Sequence, residues 1–286
     1  MKLGGHEKFL LMFAPEQMNA VQKVGLFPCS NLDDERKYRA GIKATADHLE
    51  KFLTLAEVAN DLAKGFEIDR QELEDKGHTP AIYSRRFAAV SECCINELYA
   101  ALDGVRDVIY GVYKSVQGVQ KKSTSKLFSK ANQKQYGEGF PVELNNLLST
   151  AYNEWFCQLR TYRTEFTHGS LGRCSMDHET QKIRYMHSAL GAGSNSLIIE
   201  DFVEYINGVY AYVLTLQERV FDFLYSALEL SESKVLCGIY QGRGYMRSIK
   251  PVENLSVHSG LCMSVSYPDP CPLKEQCGAY NKALAD

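Results

Sequence analysis

Apolar residues recur at intervals of three and four over long parts of the chain, which is the pattern of amphipathic helices. The four stretches with this pattern span residues 32–66, 81–116, 141–168 and 197–230. The polar string 30–34 precedes the first stretch and supplies its N-cap. Thr79 is predicted to cap the second, with Pro80 at its first helical position. Four such helices predict a helical bundle.

The third stretch separates an aromatic-rich apolar stripe from a polar face. The stripe consists of Leu144, Leu148, Tyr152, Trp155, Leu159, Tyr162 and Phe166. Arg160, Arg163, Thr164 and Thr167 fall off it. We therefore expect this helix to bury its aromatic rings and to present its arginines on another face, as a polar site requires.

The remaining segments favour short helices, turns and strands. Residues 1–31 predict one or two short helices, and residues 174–190 a β-hairpin or ordered loop around the acidic turn 177–180. The Gly- and Ser-rich run 191–196 predicts a turn and cap, and residues 235–247 a hairpin with a Gly-rich turn. The predicted domains are an N-terminal helical segment that packs on the bundle, the bundle itself and a Cys-bearing extension, with boundaries 1–79, 80–230 and 231–286.

The composition is that of a globular protein without an overall basic surface. The chain has 286 residues and a formal net charge of −3, so RNA binding would need a local basic patch. No run reaches the roughly 18 apolar residues of a membrane helix, and we expect a cytoplasmic protein that does not bind membranes. Nine unevenly spaced cysteines indicate reduced thiols rather than a disulfide framework.

Candidate chemistry lies at the end of the third stretch, in residues 160–169, Arg-Thr-Tyr-Arg-Thr-Glu-Phe-Thr-His-Gly. Arg163 supplies a permanent charge with forked donors suited to a phosphodiester. His168 can give or take a proton near neutral pH, and Gly169 is a common helix stop. Arg160, one turn earlier, is either an additional phosphate contact or half of a surface ion pair.

This segment resembles the Arg-x4-His signature of HEPN-domain ribonucleases, over roughly residues 80 to 230. The resemblance implies a mainly α, HEPN-like helical bundle, here with a β-hairpin insertion and a small Cys-containing C-terminal extension. The residue after the arginine is Thr164, where the family most often has Asn, and a hydroxyl cannot reproduce the two-ended bonding of an amide.

The resemblance also implies an activity. HEPN ribonucleases cut RNA without a metal or other cofactor, leaving 2′,3′-cyclic phosphate and 5′-hydroxyl ends. His168 would be the general acid or base and Arg163 would stabilise charge on the phosphate. A homodimer would complete the site, and a toxin or anti-phage effector with an inhibitory or activating protein partner is the implied setting. The alternatives are a non-catalytic HEPN-like binding or assembly module and a metal-stabilised nucleic-acid-binding protein.

A basic segment precedes the motif helix. Lysines occur between residues 114 and 135 without an acidic neighbour, and those that we single out for RNA binding are Lys121, Lys122, Lys126 and Lys130. These lysines either contact the phosphate backbone of a bound RNA, or lie in a solvated connecting loop or along one edge of a short helix.

The C-terminal extension concentrates four of the nine cysteines, Cys237, Cys262, Cys271 and Cys277. The string from Cys271 to Tyr280 resembles the closing half of the iron–sulfur loop of endonuclease-III-type glycosylases, although the two cysteines of their first half are missing. The four cysteines, with His258 as an alternative ligand to Cys237, predict a structural zinc site or an iron–sulfur cluster. Reduced cysteines that pack as small apolar residues are the third interpretation.

Overall fold

The computed structural model describes residues 9–188, 190 and 197–285. It is mainly helical with two small antiparallel sheets, which confirms the predicted fold class at that level. The helices are α1 (Ala20–Gly25), α2 (Glu35–Ala63), α3 (Phe66–Lys76), α4 (Ile82–Tyr113), α5 (Thr124–Asn132), α6 (Val142–Ala151), α7 (Cys157–His168), α8 (Phe202–Ala227) and α9 (Gly278–Ala285), with a 3₁₀ turn at Pro15–Gln17. The strands are β1 (Leu10–Leu11), β2 (Arg173–Met176), β3 (Ile183–Met186), β4 (Ile198–Ile199), β5 (Ser233–Tyr240), β6 (Arg243–Ile249) and β7 (Leu261–Cys262).

The chain divides into two compact units. The larger unit contains residues 33–220, and the smaller one combines residues 1–32 with 221–286. Residues 9–32 belong with the C-terminal segment because β1 pairs antiparallel with β5, and because Phe13 and Phe27 pack against Ile249. Amphipathic periodicity does not reveal a pairing between segments so far apart in sequence.

In the larger unit, α2 and α4 pack antiparallel at very short range. A Cβ atom added at Gly104 would lie 2.4 Å from Oγ1 and 2.7 Å from the backbone nitrogen of Thr45. One added at Gly41 would lie 2.6 Å from the backbone nitrogen of Val108. Small residues on both helices therefore allow their backbones to approach. Asp34 caps α2 by accepting from the Lys37 amide at 3.1 Å, as the polar string before this helix predicted.

The start of α4 is capped differently from the sequence-based expectation. Thr79 was predicted as the cap, but its hydroxyl accepts from the amide of Ala81, one residue before the helix. The Asp69 carboxylate, on α3, instead accepts from the amides of Tyr83 at 3.2 Å and Ser84 at 2.8 Å. The prediction that Thr79 caps α4 was therefore wrong. A cap contributed by a preceding helix leaves no local Ser/Thr-x-x-Glu pattern in the sequence.

The motif helix is continuous from α6 through α7, with one π-helical turn at Tyr152–Phe156 between them. Its predicted apolar stripe is buried, except that Tyr152 is half-exposed. Phe156 stacks on Phe128 of α5 with ring centroids 3.9 Å apart, and the single tryptophan, Trp155, stacks on Tyr212 of α8 at 5.9 Å. Single π turns are common near functional sites in proteins. Here the turn immediately precedes the helical segment that carries the arginines.

The predicted hairpin after the motif is formed by β2 and β3, and β4 adds a third strand. Its turn is held by Asp177, which accepts from the amides of Glu179 and Thr180. The predicted turn and cap at 191–196 lies outside the described residues. The C-terminal hairpin is confirmed as β5 and β6, in a sheet of strand order β1-β5-β6-β7.

The described helices include none that is both long and apolar enough to cross a membrane.

Candidate active site

The polar face of α7 carries the motif. Arg160 and Arg163 are half-buried, whereas Thr164, Thr167 and His168 are exposed. The apolar side of the same helix buries Leu159, Tyr162 and Phe166. The predicted division between aromatic and polar faces is therefore present.

Arg163 is held on the surface of α4. Its guanidinium carbon lies 5.1 Å from the ring centroid of Tyr99, a cation–π geometry. Burial raises the pKa of the Tyr99 phenol, with Asp103 also raising it and Arg163 and Arg160 opposing them. Tyr99 therefore stays a neutral platform beneath the arginine throughout the physiological pH range.

Arg160 connects α7 to the basic segment. Its Nη1 donates to Oγ of Ser125, in the first turn of α5, at 2.8 Å. Of the four lysines singled out, Lys121, Lys122 and Lys126 are exposed and form no ion pair with a described residue. Those three charges are available to a ligand.

The fourth lysine has a structural bond. Nζ of Lys130 donates to the Gly118 carbonyl at 2.8 Å and so closes the loop before α5. The basic segment is thus partly a helix edge, which was one of the two interpretations of the sequence.

The two threonines turn their hydroxyls towards the backbone of their own helix. Oγ1 of Thr164 donates to the Arg160 carbonyl at 2.9 Å. Oγ1 of Thr167 lies 2.7 Å from the Arg163 carbonyl and 3.1 Å from Oδ1 of Asn96 on α4. Thr167 thus helps to fix α7 against α4, and Thr164 forms no hydrogen bond to another element among the described residues.

His168 is the last residue of α7, and its imidazole forms no hydrogen bond with a described residue. The amide of Gly169 donates to the Glu165 carbonyl at 2.7 Å and ends the helix. A helix turns about 100° per residue, so the side chains of Arg163 and His168 leave the axis of α7 about 140° apart. One copy of α7 therefore presents its imidazole to solvent while its arginine faces α4.

A buried carboxylate braces the segment that follows the motif. Oε1 of Glu92, on α4, accepts from the Gly172 amide at 2.8 Å and from the Tyr185 hydroxyl at 2.7 Å. Nε2 of His187 lies 2.6 Å from the Ser170 carbonyl, which fixes a second point of the same segment. Glu92, Tyr185 and His187 are all less than a tenth exposed. They position the chain immediately after His168.

The motif thus rests on residues of α4 that were not predicted as site residues. Glu92, Asn96, Tyr99 and Asp103 recur at steps of four, three and four, so they form one polar stripe along α4. Asp103 accepts from Nη1 of Arg106 at 2.7 Å and extends the stripe towards α5. A polar stripe within an apolar repeat is the sequence signal that could have identified them.

The predicted metal ligands lie in the other unit. Cys237, Cys262, Cys271 and Cys277 are free thiols, and all four line one cavity of about 300 Å³ together with His258. Among the described residues, no three His, Cys, Asp or Glu side chains are arranged to hold a metal ion. The four predicted cysteines are thus brought together around one cavity.

Comparisons of the chain with protein-family models, with curated proteins and with solved structures gave no match.

Proposed function

We propose that this chain is a metal-independent endoribonuclease of the HEPN type, with His168 and Arg163 at its active site. The observation that carries the proposal is the end of α7. It combines an exposed imidazole that forms no hydrogen bond to a described residue with two arginines on the preceding turns. An acid–base group and permanent cations, brought together from two copies of α7, suit chemistry at a phosphodiester.

The reaction uses the substrate's own 2′-hydroxyl as nucleophile. His168 removes its proton, the 2′-oxygen attacks the adjacent phosphorus, and the bond from phosphorus to the 5′-oxygen breaks. That oxygen leaves with a proton from an imidazolium, so the products are a 2′,3′-cyclic phosphate and a 5′-hydroxyl. Arg163 stabilises the negative charge that accumulates on the phosphoryl oxygens.

Two copies of the chain complete the site in this proposal. One imidazole cannot accept and donate the two protons at opposite oxygens in a single step, and Arg163 and His168 of one α7 diverge by about 140°. A second copy of α7 would supply the other imidazole and arginine. Arg160 and the exposed lysines 121, 122 and 126 would hold flanking phosphates. The resemblance further implies a toxin or anti-phage effector that a protein partner inhibits or activates.

The test is cleavage of a labelled structured RNA in EDTA by the unmodified chain and its variants. We expect His168→Ala and Arg163→Ala to lose at least about 100-fold in rate, the lower range for an acid–base group. The matched controls are His178→Ala, an exposed histidine in the β2–β3 turn, and Arg36→Ala, an exposed arginine on α2; both keep full activity. Equal rates in His168→Ala and His178→Ala would overturn the assignment.

A non-catalytic binding or assembly module is the second candidate. It is favoured by the packing of Arg163 on Tyr99 and by the Thr164 hydroxyl, which donates to its own helix rather than orienting a neighbour. A module of this kind would bind RNA or a protein without cleaving it. Removing Arg160 or the exposed lysines would then weaken binding, while His168→Ala would leave it unchanged.

A further inference from the structure

The cysteine cavity of the smaller unit collects side chains from separate parts of the sequence. Cys237 lies on β5, Cys262 on β7, Cys271 in the following loop, and Cys277 immediately before α9. Cys237 and Cys271 are less than a tenth exposed, and the other two are half-buried. Four thiols that converge on one cavity of about 300 Å³ are the donor set of a thiolate-ligated metal centre.

A buried positive charge lies in the wall of the same cavity. Arg247 of β6 is only 3% exposed, and its guanidinium stands 4.7 Å from the ring centroid of Phe13. Its Nη1 donates to the carbonyls of Val257 and Ser259, and it forms no ion pair with a described carboxylate. The nearby Glu16 carboxylate accepts from the Val257 amide at 2.6 Å and forms no ion pair with Arg247. A buried cation without an ion pair is costly, so this position favours an anionic group within the cavity.

Backbone and guanidinium N–H groups are directed at the sulfurs, including that of Cys271, which interacts with the Leu273 amide. Nε of Arg247 lies 2.8 Å from Sγ of Cys237, and its Nη2 lies 3.6 Å from Sγ of Cys277. The amide of Ser264 lies 3.4 Å from Sγ of Cys262. A neutral thiol is a weak acceptor, whereas a metal-bound thiolate is a strong one, and such bonds are the usual outer shell of iron–sulfur sites.

We infer that this cavity binds an iron–sulfur cluster through Cys237, Cys262, Cys271 and Cys277, with Arg247 as its charge partner. Each thiol loses its proton when its sulfur binds iron. The four thiolates and a four-iron, four-sulfide core then carry net negative charge, which the guanidinium offsets.

The volume of the cavity favours a cluster over a single zinc ion. Four sulfurs bound to one zinc at about 2.3 Å lie about 3.8 Å from each other and enclose no further volume. A cluster holds its cysteines further apart because its own iron and sulfide atoms fill the space between them. A cavity of about 300 Å³ has room for those atoms, since one water molecule occupies about 30 Å³.

His258 is excluded from the ligand set. It lines the cavity, but its Nδ1 accepts from the Gly278 amide at 3.3 Å, at the start of α9. The four cysteines already satisfy the ligand count of a cluster without it.

The inference does not depend on the ribonuclease proposal, and its test has a separate readout. The full chain is produced with iron supplied and purified without oxygen, and iron, zinc and acid-labile sulfide are measured per chain. We expect about four iron and four sulfide. One zinc without sulfide, or no metal at all, overturns the inference regardless of RNA cleavage.

Matched variants locate the cluster. Cys271→Ser should lose most of the iron and sulfide, whereas Cys93→Ser, which removes an exposed thiol on α4, and His258→Ala should keep the full content. Full iron content in Cys271→Ser overturns the ligand assignment.

The role of Arg247 is tested on protein that retains its cluster. Arg247→Gln removes a charge and at least one N–H···S bond, which disfavours the reduced, more negative state of the cluster. Its reduction potential should become more negative than that of the unmodified chain. An unchanged potential overturns Arg247 as the charge partner.

Discussion

The two hydrogen bonds that Glu92 accepts from the segment after the motif predict how much the free energy of unfolding falls when this side chain is removed. Glu92→Ala leaves the Gly172 amide and the Tyr185 hydroxyl without an acceptor, and both groups are buried. Each unsatisfied buried donor costs about 1–3 kcal/mol. We therefore expect a loss of about 4 kcal/mol in the free energy of unfolding of the larger unit.

Glu92→Gln separates the loss of the acceptor oxygen from the loss of its charge. Both donors reach the same carboxylate oxygen, and the amide oxygen of glutamine can take its place. Only the charge of the acceptor is lost, and the expected cost is about 1–2 kcal/mol. Glu179→Ala, an exposed position in the β2–β3 turn, is the control and should change stability by less than about 0.5 kcal/mol.

The assay is urea unfolding followed by the fluorescence of Trp155. This is the one tryptophan of the chain, and it is buried in the larger unit, so its signal reports that unit. The reasoning is refuted if Glu92→Ala lies within about 1 kcal/mol of the unmodified chain, or if Glu92→Gln costs as much as the alanine variant.

Three further outcomes follow from the packing of the larger unit. Gly104→Ala should lower the free energy of unfolding by more than about 2 kcal/mol in the urea assay, because its Cβ would meet the α2 backbone. Gly208→Ala on α8 has open space around its Cβ and should raise that free energy by about 0.5–1 kcal/mol. Equal effects of the two variants would refute the close approach of α2 and α4. Asp69→Ala should lower the free energy of unfolding by about 2 kcal/mol in the same assay, because two amides at the start of α4 lose their acceptor. An unchanged urea midpoint would contradict this cap. Burial raises the pKa of Cys94 to about 12, so its thiol stays protonated at pH 8. After alkylation of the folded protein, mass spectrometry should find the exposed Cys93 modified and Cys94 unmodified. A modified Cys94 beside an unmodified Cys93 would contradict the structure.

Sequence periodicity predicted the elements whose apolar residues repeat regularly. The helices observed as α2, α4, α6–α7 and α8 correspond to the four predicted stretches. Helix α3 was not predicted, because residues 67–78 are mostly charged and show little apolar repeat. Its buried side chains are Phe66, at its first position, and Asp69, whose carboxylate caps another helix and leaves no periodic signal.

The candidate site was only partly predictable, for a related reason. The motif on α7 follows from residue types and spacing, but its support on α4 depends on which polar residues face α7. The stripe from Glu92 to Asp103 carries that information at helical spacing, and it can be recognised only once α4 is known to be buried on nearly every side. The convergence of the four cysteines with Arg247 depends on strand pairing, which periodicity within single segments does not predict.

The most direct test of the central claim is the chemistry of the RNA ends. A structured RNA is incubated with the unmodified chain in EDTA, and the products are analysed by mass spectrometry. The proposal predicts 2′,3′-cyclic phosphate and 5′-hydroxyl ends that are absent with His168→Ala. Products with 3′-hydroxyl and 5′-phosphate ends, or an RNA left intact by folded protein, would contradict it.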